Sequence, residues 1–203
     1  MLTVMIIAIL SLKGGVGKTT TCMHLAAVAH ERRKRPVVLD ADTNRSALHW
    51  QETAQAADIT LPFAVQVAEH NTLAQQARAL EKAGHLVVID CPPNNEAILV
   101  RAANLADRVV VPTKPTGLDM DQLGGTAQLL ADIEATKGQL DSAILLTHYN
   151  ARRRLARETL EALSGYPVLK THIRYLAKYE ESFGTIPRYL EEYKGVFKEL
   201  GVK

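Results

Sequence analysis

Short runs of apolar residues alternate along this chain with longer segments in which apolar positions recur at helical spacing. Several short runs are continuous Val, Ile and Leu, which is typical of parallel strands covered on both faces. The predicted strands are 5–10, 37–39, 63–67, 86–89, 108–111, 143–146 and, more weakly, 168–170. The predicted helices are 19–32, 73–83, 96–105, 119–135, 155–163, 175–182 and 188–200. The alternation predicts a single α/β domain over residues 1–203, with a doubly wound, mostly parallel sheet and helices on both faces.

The composition is that of an ordinary globular protein. Of 203 residues, 47% are hydrophobic and 23% are charged, which excludes disordered and fibrous classes. Cys22 and Cys91 are too few for a disulfide framework and lack metal-ligand spacing, so a reducing, cytoplasmic setting is predicted. No apolar run reaches the length of about 18 residues that a membrane span needs. The apolar opening is predicted to be a buried strand rather than a signal peptide, because its first basic residue, Lys13, follows the run; Met5 is an equally suitable start.

The charge is distributed unevenly, although the net charge is only +2. Residues 150–203 hold 11 Lys or Arg against 7 Asp or Glu, and all six tyrosines lie beyond position 148. A basic, tyrosine-bearing end on a near-neutral body indicates a polyanionic partner. The candidate phosphate contacts are Arg152, Arg153, Arg154, Lys170 and Arg174. If they converge, they can bind duplex DNA without reading its bases; a merely solvated basic face is the alternative.

A glycine-rich loop follows the first predicted strand and opens a helix pattern. It consists of Lys13, Gly14, Gly15, Val16, Gly17, Lys18, Thr19 and Thr20. Glycines allow successive backbone N–H groups to point at phosphate oxygens, and the helix N-terminus adds the positive end of its dipole. Lys18 is placed to reach the β- and γ-phosphates, and the Thr19 hydroxyl is placed to ligate Mg²⁺. The sequence therefore predicts a nucleotide site with Mg²⁺.

Three carboxylates follow predicted strands. Asp40 and Asp42 come after the second strand, and Asp90 ends the fourth. The carboxyl ends of parallel strands line the ligand crevice of such sheets, so these side chains are expected beside the glycine-rich loop. Phosphoryl transfer to water needs a carboxylate that holds the metal and a group that orients the nucleophile. The alternative, kept above all for Asp40, is a strand-end carboxylate that only caps the next helix.

The loop departs from the ordinary P-loop because Leu12 stands five positions before Gly17, where a glycine is usual. Its pattern Lys13-Gly14-Gly15-x-Gly17-Lys18-Thr19 resembles the deviant Walker A motif of the ParA/MinD ATPases. The resemblance continues in segments 40–50, 90–93, 110–119 and 169–174, and it is greatest for small plasmid-type ParA proteins. It therefore covers nearly the whole chain, with no additional DNA-binding extension at the start.

The resemblance implies an ATP hydrolase of the P-loop class that uses ATP and Mg²⁺ and forms a nucleotide-sandwich homodimer. In that arrangement, Lys13 crosses the interface to the partner's phosphates, and Asp42 activates the attacking water. Asp40 supports the metal site with Thr19, and Asp90 acts on Mg²⁺ through water. The implied nucleotide contacts are Lys13, Gly14, Gly15, Val16, Gly17, Lys18, Thr19, Thr20, Pro112 and Thr113.

The resemblance also implies partners. These are duplex DNA, bound without sequence preference by the five basic residues, and a ParB-like adaptor. The function implied is segregation or positioning of a plasmid, a chromosome or a protein cargo, carried out on the nucleoid in the cytoplasm. One position departs from the family: an Asn that helps to read adenine is replaced by Thr147-His148 after strand 143–146. ATP is still the nucleotide that the resemblance favours.

The last predicted helix raises a second candidate function. Its apolar stripe of Leu190, Tyr193, Phe197 and Leu200 invites comparison with MinD, in which a C-terminal amphipathic helix holds a membrane. The polar face here mixes acids with lysines, whereas an anionic bilayer favours a mostly basic face, so packing against the domain is predicted. A MinD-like membrane-associated ATPase that regulates division or assembly placement is the alternative. A metabolic P-loop synthetase is a third, against which Lys13 argues. Trp50 is expected to pack the segment after Asp42 onto the body.

Overall fold

A parallel sheet between two helical layers organises the protein, as the sequence predicts. The computed structural model describes residues 5–202, without the side chains of residues 118–122; Met1 and Lys203 lie outside it. The strands are β1 (Ile6–Ile9), β2 (Pro36–Asp40), β3 (Ala64–Val67), β4 (Leu86–Asp90), β5 (Arg108–Thr113) and β6 (Ser142–Leu146). The helices are α1 (Lys18–Glu31), α2 (Ser46–Ala56), α3 (Leu73–Lys82), α4 (Glu96–Leu105), α5 (Gly117–Lys137), α6 (Arg154–Ala162), α7 (Ala177–Glu180) and α8 (Glu191–Glu199).

The strand order creates a crevice at the carboxyl end of β1. Within the described residues the order is β3-β2-β4-β1-β5-β6, and every pairing is parallel. The chain first moves outward from β1 through β2 to β3, and after β4 it continues on the other side of β1. Such a reversal leaves an opening above the strand ends, where open α/β sheets bind ligands. In the ladder, Ile9 of β1 and Asp40 of β2 both lie beside Asp90 of β4.

Each face of the sheet carries its own hydrophobic core. In β1, Ile7 and Ile9 belong to the core that includes residues of α1, α2 and α8, whereas Ile6 and Ala8 belong to the core with α3, α4 and α5. Successive strand residues point to opposite faces, so a strand covered on both sides must be apolar throughout. The prediction of a doubly wound sheet with helices on both faces is confirmed.

Two segments differ from the pattern-based prediction. Helix α2 is absent from the predicted set, since its buried side chains within Ser46–Ala56 are only Ala47, Trp50 and Ala54. The predicted strand 168–170 is not a strand: it meets β6 at one isolated bridge, between Val168 and Ile144. It does not form a ladder there because the Glu199 carboxylate accepts the backbone N–H groups of Lys170 and Thr171, at 2.6 and 2.8 Å.

Helix α8 packs against the domain, as predicted. All four residues of its apolar stripe are buried, each with at most 3% exposure. The polar face therefore meets solvent while the stripe contributes to the core with α1. Across the described residues, the structure holds no helix with both the length and the apolar character to cross a bilayer.

An aromatic cluster fills the core behind the glycine-rich loop. His24 of α1 stacks on Tyr193 with ring centroids 4.7 Å apart, and the rings of Trp50 and Tyr179 meet it edge-on. Its Nδ1 lies 2.8 Å from the Thr20 carbonyl oxygen, and its Nε2 is buried with no partner among the described residues. Burial lowers the pKa of His24 to about 4. The cluster thus joins α1 to α2, α7 and α8 around a neutral imidazole.

The loop between α7 and α8 is fastened to α2. The Trp50 indole Nε1 donates to the Thr185 carbonyl oxygen at 2.8 Å, which fulfils the expectation that Trp50 packs its segment onto the body. Next to it, Gly184 has φ of +69°, and a Cβ there would lie 2.4 Å from Cγ2 of Thr53. Both the left-handed backbone and the close approach therefore require glycine.

We predict that Gly184→Ala lowers the free energy of unfolding by about 2–4 kcal/mol, because backbone strain and overpacking add. Gly138→Ala is the matched control: its φ is +89° and nothing lies within 4 Å of an added Cβ. It should cost only about 1 kcal/mol, from the backbone alone. Urea unfolding of both variants measures the two values, and equal losses would contradict the steric part of the account.

Protonation of His24 should destabilise the fold. Its pKa is about 4 in the folded chain against 6.5 as the ordinary value, so the unfolded chain binds the proton more tightly between these pH values. The contribution of His24 to the free energy of unfolding is therefore fully present above pH 6.5. It falls by about 3 kcal/mol as the pH drops to 4. His24→Phe should remove that part of the pH dependence, whereas His30→Gln, at an exposed position on the same helix, should retain it. Denaturant titrations at pH 4–7 measure the difference; an unchanged dependence in His24→Phe would contradict the assignment.

Candidate nucleotide-binding site

The glycine-rich loop wraps around the side chain of its own lysine. Gly15 and Gly17 adopt φ of +71° and +90°, and α1 begins directly afterwards at Lys18. The Lys18 ammonium turns back and donates to the Lys13 carbonyl oxygen at 2.7 Å, and the residue is only 7% exposed. The positive charge is thus held inside the curl of the loop, where backbone N–H groups and the helix N-terminus favour an anion.

Thr147 directly follows β6 and is hydrogen-bonded to the glycine-rich loop. Its hydroxyl donates to the Val16 carbonyl oxygen at 2.9 Å and lies 3.4 Å from that of Thr113. Its Cγ2 would be 3.9 Å from a Cβ placed on Gly17. From the sequence, Thr147 was recognised only as part of a departure from the family pattern. The available signal for its contact with the loop was that it is a polar residue directly after a buried strand.

Asp90 and Thr19 form the part of the site best suited to a divalent cation. The Thr19 hydroxyl hydrogen-bonds to the Asp90 carboxylate. Oδ2 of Asp90 is buried and has no hydrogen-bond partner among the described residues, so one carboxylate oxygen is left for a ligand. Those residues contain no cluster of three or more His, Cys, Asp or Glu side chains that could cage an ion. Mg²⁺ fits such a sparse donor set because it usually keeps waters and substrate phosphates among its ligands.

Asp40 caps a helix instead of facing an open position. Its Oδ1 accepts the N–H of Asp42 at 3.1 Å, and its Oδ2 accepts the N–H of Leu48 in the first turn of α2 at 2.9 Å. These are two of the backbone donors that a helix start and the preceding turn leave unsatisfied. The structure thus shows Asp40 in the capping arrangement, and its support of a metal site stays a prediction.

Asp42 lines the open cleft above the loop. Its Oδ1 accepts the N–H of Asn44 at 2.9 Å, which orients the carboxylate. The cleft measures about 430 Å³. Its lining comprises Gly14, Gly15, Gly17, Lys18, Thr19, Thr20, Asp42, Asn44, Ser46, Trp50, Pro93, His148 and Phe183. The sequence-predicted loop and the predicted catalytic carboxylate therefore come together around one space.

Burial shifts the pKa values of two neighbouring groups beside the glycine-rich loop, the Lys18 ammonium and the Asp90 carboxylate. Desolvation lowers the pKa of the Lys18 ammonium, and the Asp90 carboxylate opposes that shift. Desolvation raises the pKa of Asp90 to about 7, against the hydrogen bond from Thr19. Each charge is therefore favoured by its neighbour, and a cation at Asp90 would favour the ionised carboxylate further.

Two predicted nucleotide contacts and both cysteines lie inside the fold. Pro112 and Thr113 pair with Leu145 and Leu146 within the sheet, and the described lining of the cleft does not include them. Their role as nucleotide contacts stays a prediction. Cys22 and Cys91 are fully buried, and burial raises the pKa of both thiols, so they serve as small core residues.

Aromatic side chains form the outer wall of the cleft. His148, with φ of +51°, stacks on the exposed Tyr175, with ring centroids 5.3 Å apart. Phe183 packs on Trp50 at 5.4 Å and is 42% exposed. From the sequence, His148 was a departure from the family, Tyr175 was one of the tyrosines of the basic end, and Phe183 had no role. Together these rings offer flat apolar surfaces on both sides of the loop.

The five candidate DNA contacts are all exposed, but their surroundings differ. Arg152 and Arg153 precede α6, and the structure gives them no ion pair within residues 5–202, whereas Arg154 pairs with Glu158 at 3.4 Å. Arg174 is ion-paired with Glu192. Arg153 lines a cavity together with Tyr175, which is the residue after Arg174. The backbone N–H of Lys170 is bound by Glu199 of α8. The structure thus brings Arg153 and Arg174 to one region and leaves Lys170 apart from it.

Known proteins share this fold and this sequence pattern. The family model CbiA, described as the CobQ/CobB/MinD/ParA nucleotide binding domain, matches residues 7–185. The chain is 30% identical to "Maintenance of carboxysome distribution protein A" of Halothiobacillus neapolitanus, covering 87% of this chain and 82% of that protein. It is 27% identical to "Chromosome partitioning protein ParA" of Myxococcus xanthus, covering 79% of this chain and 71% of that protein.

A solved structure agrees with the architecture. The ATP complex of an aspartate-to-alanine variant of Cyanothece McdA superposes with a TM-score of 0.73 at 17% identity, covering 98% of this chain and 97% of that one. At that identity the likeness concerns the fold alone. The family model and the sequence relatives carry the assignment: the chain belongs to the CobQ/CobB/MinD/ParA nucleotide-binding family, with the fold of the ParA/MinD-type ATPases.

Proposed function

We propose that this protein is an Mg²⁺-dependent ATP hydrolase whose ATP-bound form is a homodimer that binds duplex DNA without sequence preference. A ParB-like adaptor would stimulate hydrolysis and so direct the positioning or segregation of a DNA or protein cargo. The observation that carries the proposal is the loop with Lys18 folded inward, bordering a cleft that Asp42 also lines. The names of the relatives include both a carboxysome distribution protein and a chromosome partitioning protein.

Phosphate binding requires a small rearrangement of Lys18. Its ammonium now donates to the Lys13 carbonyl oxygen, and a β- or γ-phosphate oxygen is a stronger, charge-assisted acceptor. The N–H groups of the loop and of the start of α1 supply the remaining donors. Thr19 and Asp90 would hold Mg²⁺, which when bound neutralises charge on the phosphates. The unpaired Oδ2 of Asp90 supports this assignment.

Asp42 is the candidate for orienting the attacking water. It lies in the cleft wall near the loop, and the N–H of Asn44 fixes one of its oxygens. The capping bonds from Asp40 to Asp42 and Leu48 hold this segment to the end of β2. A carboxylate placed in this way can accept a proton from water as it attacks the terminal phosphate. Asp90 is less suited to that task because its hydrogen bond is with Thr19.

Dimerisation follows from the position of Lys13 in the family pattern. Its backbone carbonyl binds Lys18, and we assign its side chain to the phosphates of the partner subunit. ATP that contacts both subunits binds the dimer more tightly than the monomer, so it shifts the equilibrium toward the dimer. Two basic faces then act on one DNA molecule, which raises avidity without any new contact type.

The outer wall explains how the base could be accommodated without the family's Asn. His148 and Tyr175 form a stacked pair beside Thr147, and His148 lines the cleft. Aromatic faces bind a nucleobase by stacking, which depends little on the identity of the base. The membrane-associated alternative loses its motivating feature, because the apolar stripe of α8 is buried in the core.

Three variants separate the proposed steps. Lys18→Ala should weaken ATP binding about 100-fold, since charge-assisted bonds to phosphate are lost. Lys13→Ala should bind ATP as a monomer but fail to dimerise. Asp42→Ala should bind ATP and dimerise, with hydrolysis slowed by about 10²–10⁴-fold. Calorimetry, light scattering and phosphate release measure these outcomes.

The matched control for these variants is Lys82→Ala, which removes an exposed charge from α3. It should behave as wild type in all three assays. A normal ATP-dependent dimer of Lys13→Ala would contradict the sandwich arrangement. Hydrolysis at the wild-type rate in Asp42→Ala would contradict the catalytic role of that carboxylate.

DNA binding should depend on ATP and on salt, but not on sequence. If Arg152 and Arg153 each contact one phosphate per protomer, the log–log salt slope of the dimer is about −3.6, at about −0.9 for each phosphate neutralised. Replacing both by Ala should flatten the slope toward zero, and replacing Arg32 and Lys82, which are exposed elsewhere, should not. Gel shifts with ATP and with ADP at several salt concentrations test this. Equal binding in both nucleotide states, or none, would mean that the basic end is a solvated surface only.

A further inference from the structure

Arg174 differs from the other candidate DNA contacts because the protein already supplies it with an anion. Its Nε donates to Oε1 of Glu192, and its Nη2 donates to the hydroxyl of Tyr189 at 2.6 Å. The Arg174 side chain is 56% exposed, whereas that of Glu192 is 11% exposed. The hydrogen bond to Glu192 raises the pKa of the guanidinium. The exposed cation is thus anchored to a mostly buried carboxylate.

Glu192 is itself held in place. The Tyr179 hydroxyl donates to its Oε2, so both carboxylate oxygens are engaged. Glu192 lies in the first turn of α8, where the helix dipole favours a negative charge. The carboxylate therefore has a fixed position, in contrast to a mobile surface acid that could swing away when DNA approaches.

We propose that Glu192 is an internal counter-ion that competes with DNA phosphate for Arg174 and so limits the affinity of the basic end for DNA. This inference rests on the proposed DNA binding. The bonds to Glu192 and Tyr189 engage the Nε and Nη2 atoms of Arg174, so a phosphate meets a guanidinium that has fewer free donors. The negative charge of Glu192 beside it reduces the attraction for a phosphate and repels the duplex.

The arrangement divides the basic residues into two classes. Arg152 and Arg153 are exposed without an ion pair among residues 5–202, so they can meet phosphates directly. The charge of Arg174 is already offset by that of Glu192. A weak basic face with one restrained cation favours release of DNA once the second protomer is lost, since each protomer alone has few phosphate contacts.

The test compares Glu192→Gln with Glu191→Gln. Both remove one negative charge from the first turn of α8, but Glu191 is exposed and is not the partner of Arg174. Glutamine at 192 can still accept the Tyr179 hydroxyl. We expect Glu192→Gln to bind a 60-base-pair random duplex with ATP about threefold to tenfold more tightly than Glu191→Gln, with a slope steeper by about 0.9 per protomer. Adding Arg174→Gln to Glu192→Gln should abolish the gain.

A second readout does not involve DNA. Phenylglyoxal modifies accessible arginines, and mass spectrometry follows the peptide that contains Arg174. Release from Glu192 should speed modification of Arg174 in Glu192→Gln but not in Glu191→Gln. Tyr189→Phe, which removes one hydrogen bond and leaves the carboxylate in place, should shift both readouts in the same direction by a smaller factor and serves if Glu192→Gln does not fold.

The outcomes separate the inference from the proposed function. An unchanged modification rate in both Glu192→Gln and Tyr189→Phe would overturn the restraint, whatever the DNA assay shows. Faster modification without tighter DNA binding, in a protein whose wild type binds DNA with ATP, would overturn the competition. Absence of DNA binding in every variant would overturn the proposed function and the competition together, while the modification rate would still show whether Glu192 restrains Arg174.

Discussion

The site depends on one electrostatic constraint, the burial of Lys18 beside the Asp90 carboxylate at the carboxyl end of a parallel sheet. Burial disfavours both charges, as the lowered pKa of the lysine and the raised pKa of the aspartate indicate, and each opposes the shift of the other. A buried ion is costly unless it is paired and hydrogen-bonded. The Lys13 carbonyl accepts from one group, and the Thr19 hydroxyl donates to the other. Lys18 is also the cation that a phosphate requires, and Asp90 with Thr19 supplies the oxygens that a divalent cation requires. The arrangement therefore suits nucleotide binding as well as folding.

Carboxylates at the ends of elements hold distant segments to this centre. Asp40 binds the N–H of Leu48 and so fixes the start of α2 relative to β2. Glu199 binds the N–H groups of Lys170 and Thr171 and so ties the segment beside β6 to α8. In both cases a carboxylate oxygen accepts backbone N–H groups that a carbonyl oxygen would accept inside a helix or a sheet. The position of Asp42 therefore follows from the end of β2, and it does not depend on a flexible loop.

The sequence predicted the sheet well because strands such as β1 are covered on both faces and are apolar throughout. The glycine-rich loop and the strand-end aspartates were predictable for a similar reason, since parallel strands bring their carboxyl ends together. Helix α2 was missed because its buried positions are two alanines and Trp50, too little apolar periodicity to detect. The pairing of Arg174 with Glu192 could not be predicted, since it joins residues 18 positions apart through tertiary packing. For Thr147, whose bond to Val16 spans 131 positions, the only signal was its place directly after a buried strand.

The aromatic cluster gives the nucleotide loop a physical connection to the basic end. The Tyr193 hydroxyl lies 3.3 Å from that of Thr21, two residues beyond Thr19, and Tyr179 contacts both His24 and Glu192. Because such interiors are close-packed, α1 cannot shift without displacing these rings and the carboxylate beside them. Under the proposed function, ATP would therefore act on DNA binding in two ways, through dimerisation or through this cluster. Dimerisation doubles the number of phosphates contacted and doubles the salt slope, whereas release of Arg174 adds one contact per protomer. The salt slope per protomer therefore distinguishes the two routes. Dimerisation leaves this slope unchanged, whereas release of Arg174 through the cluster makes it steeper.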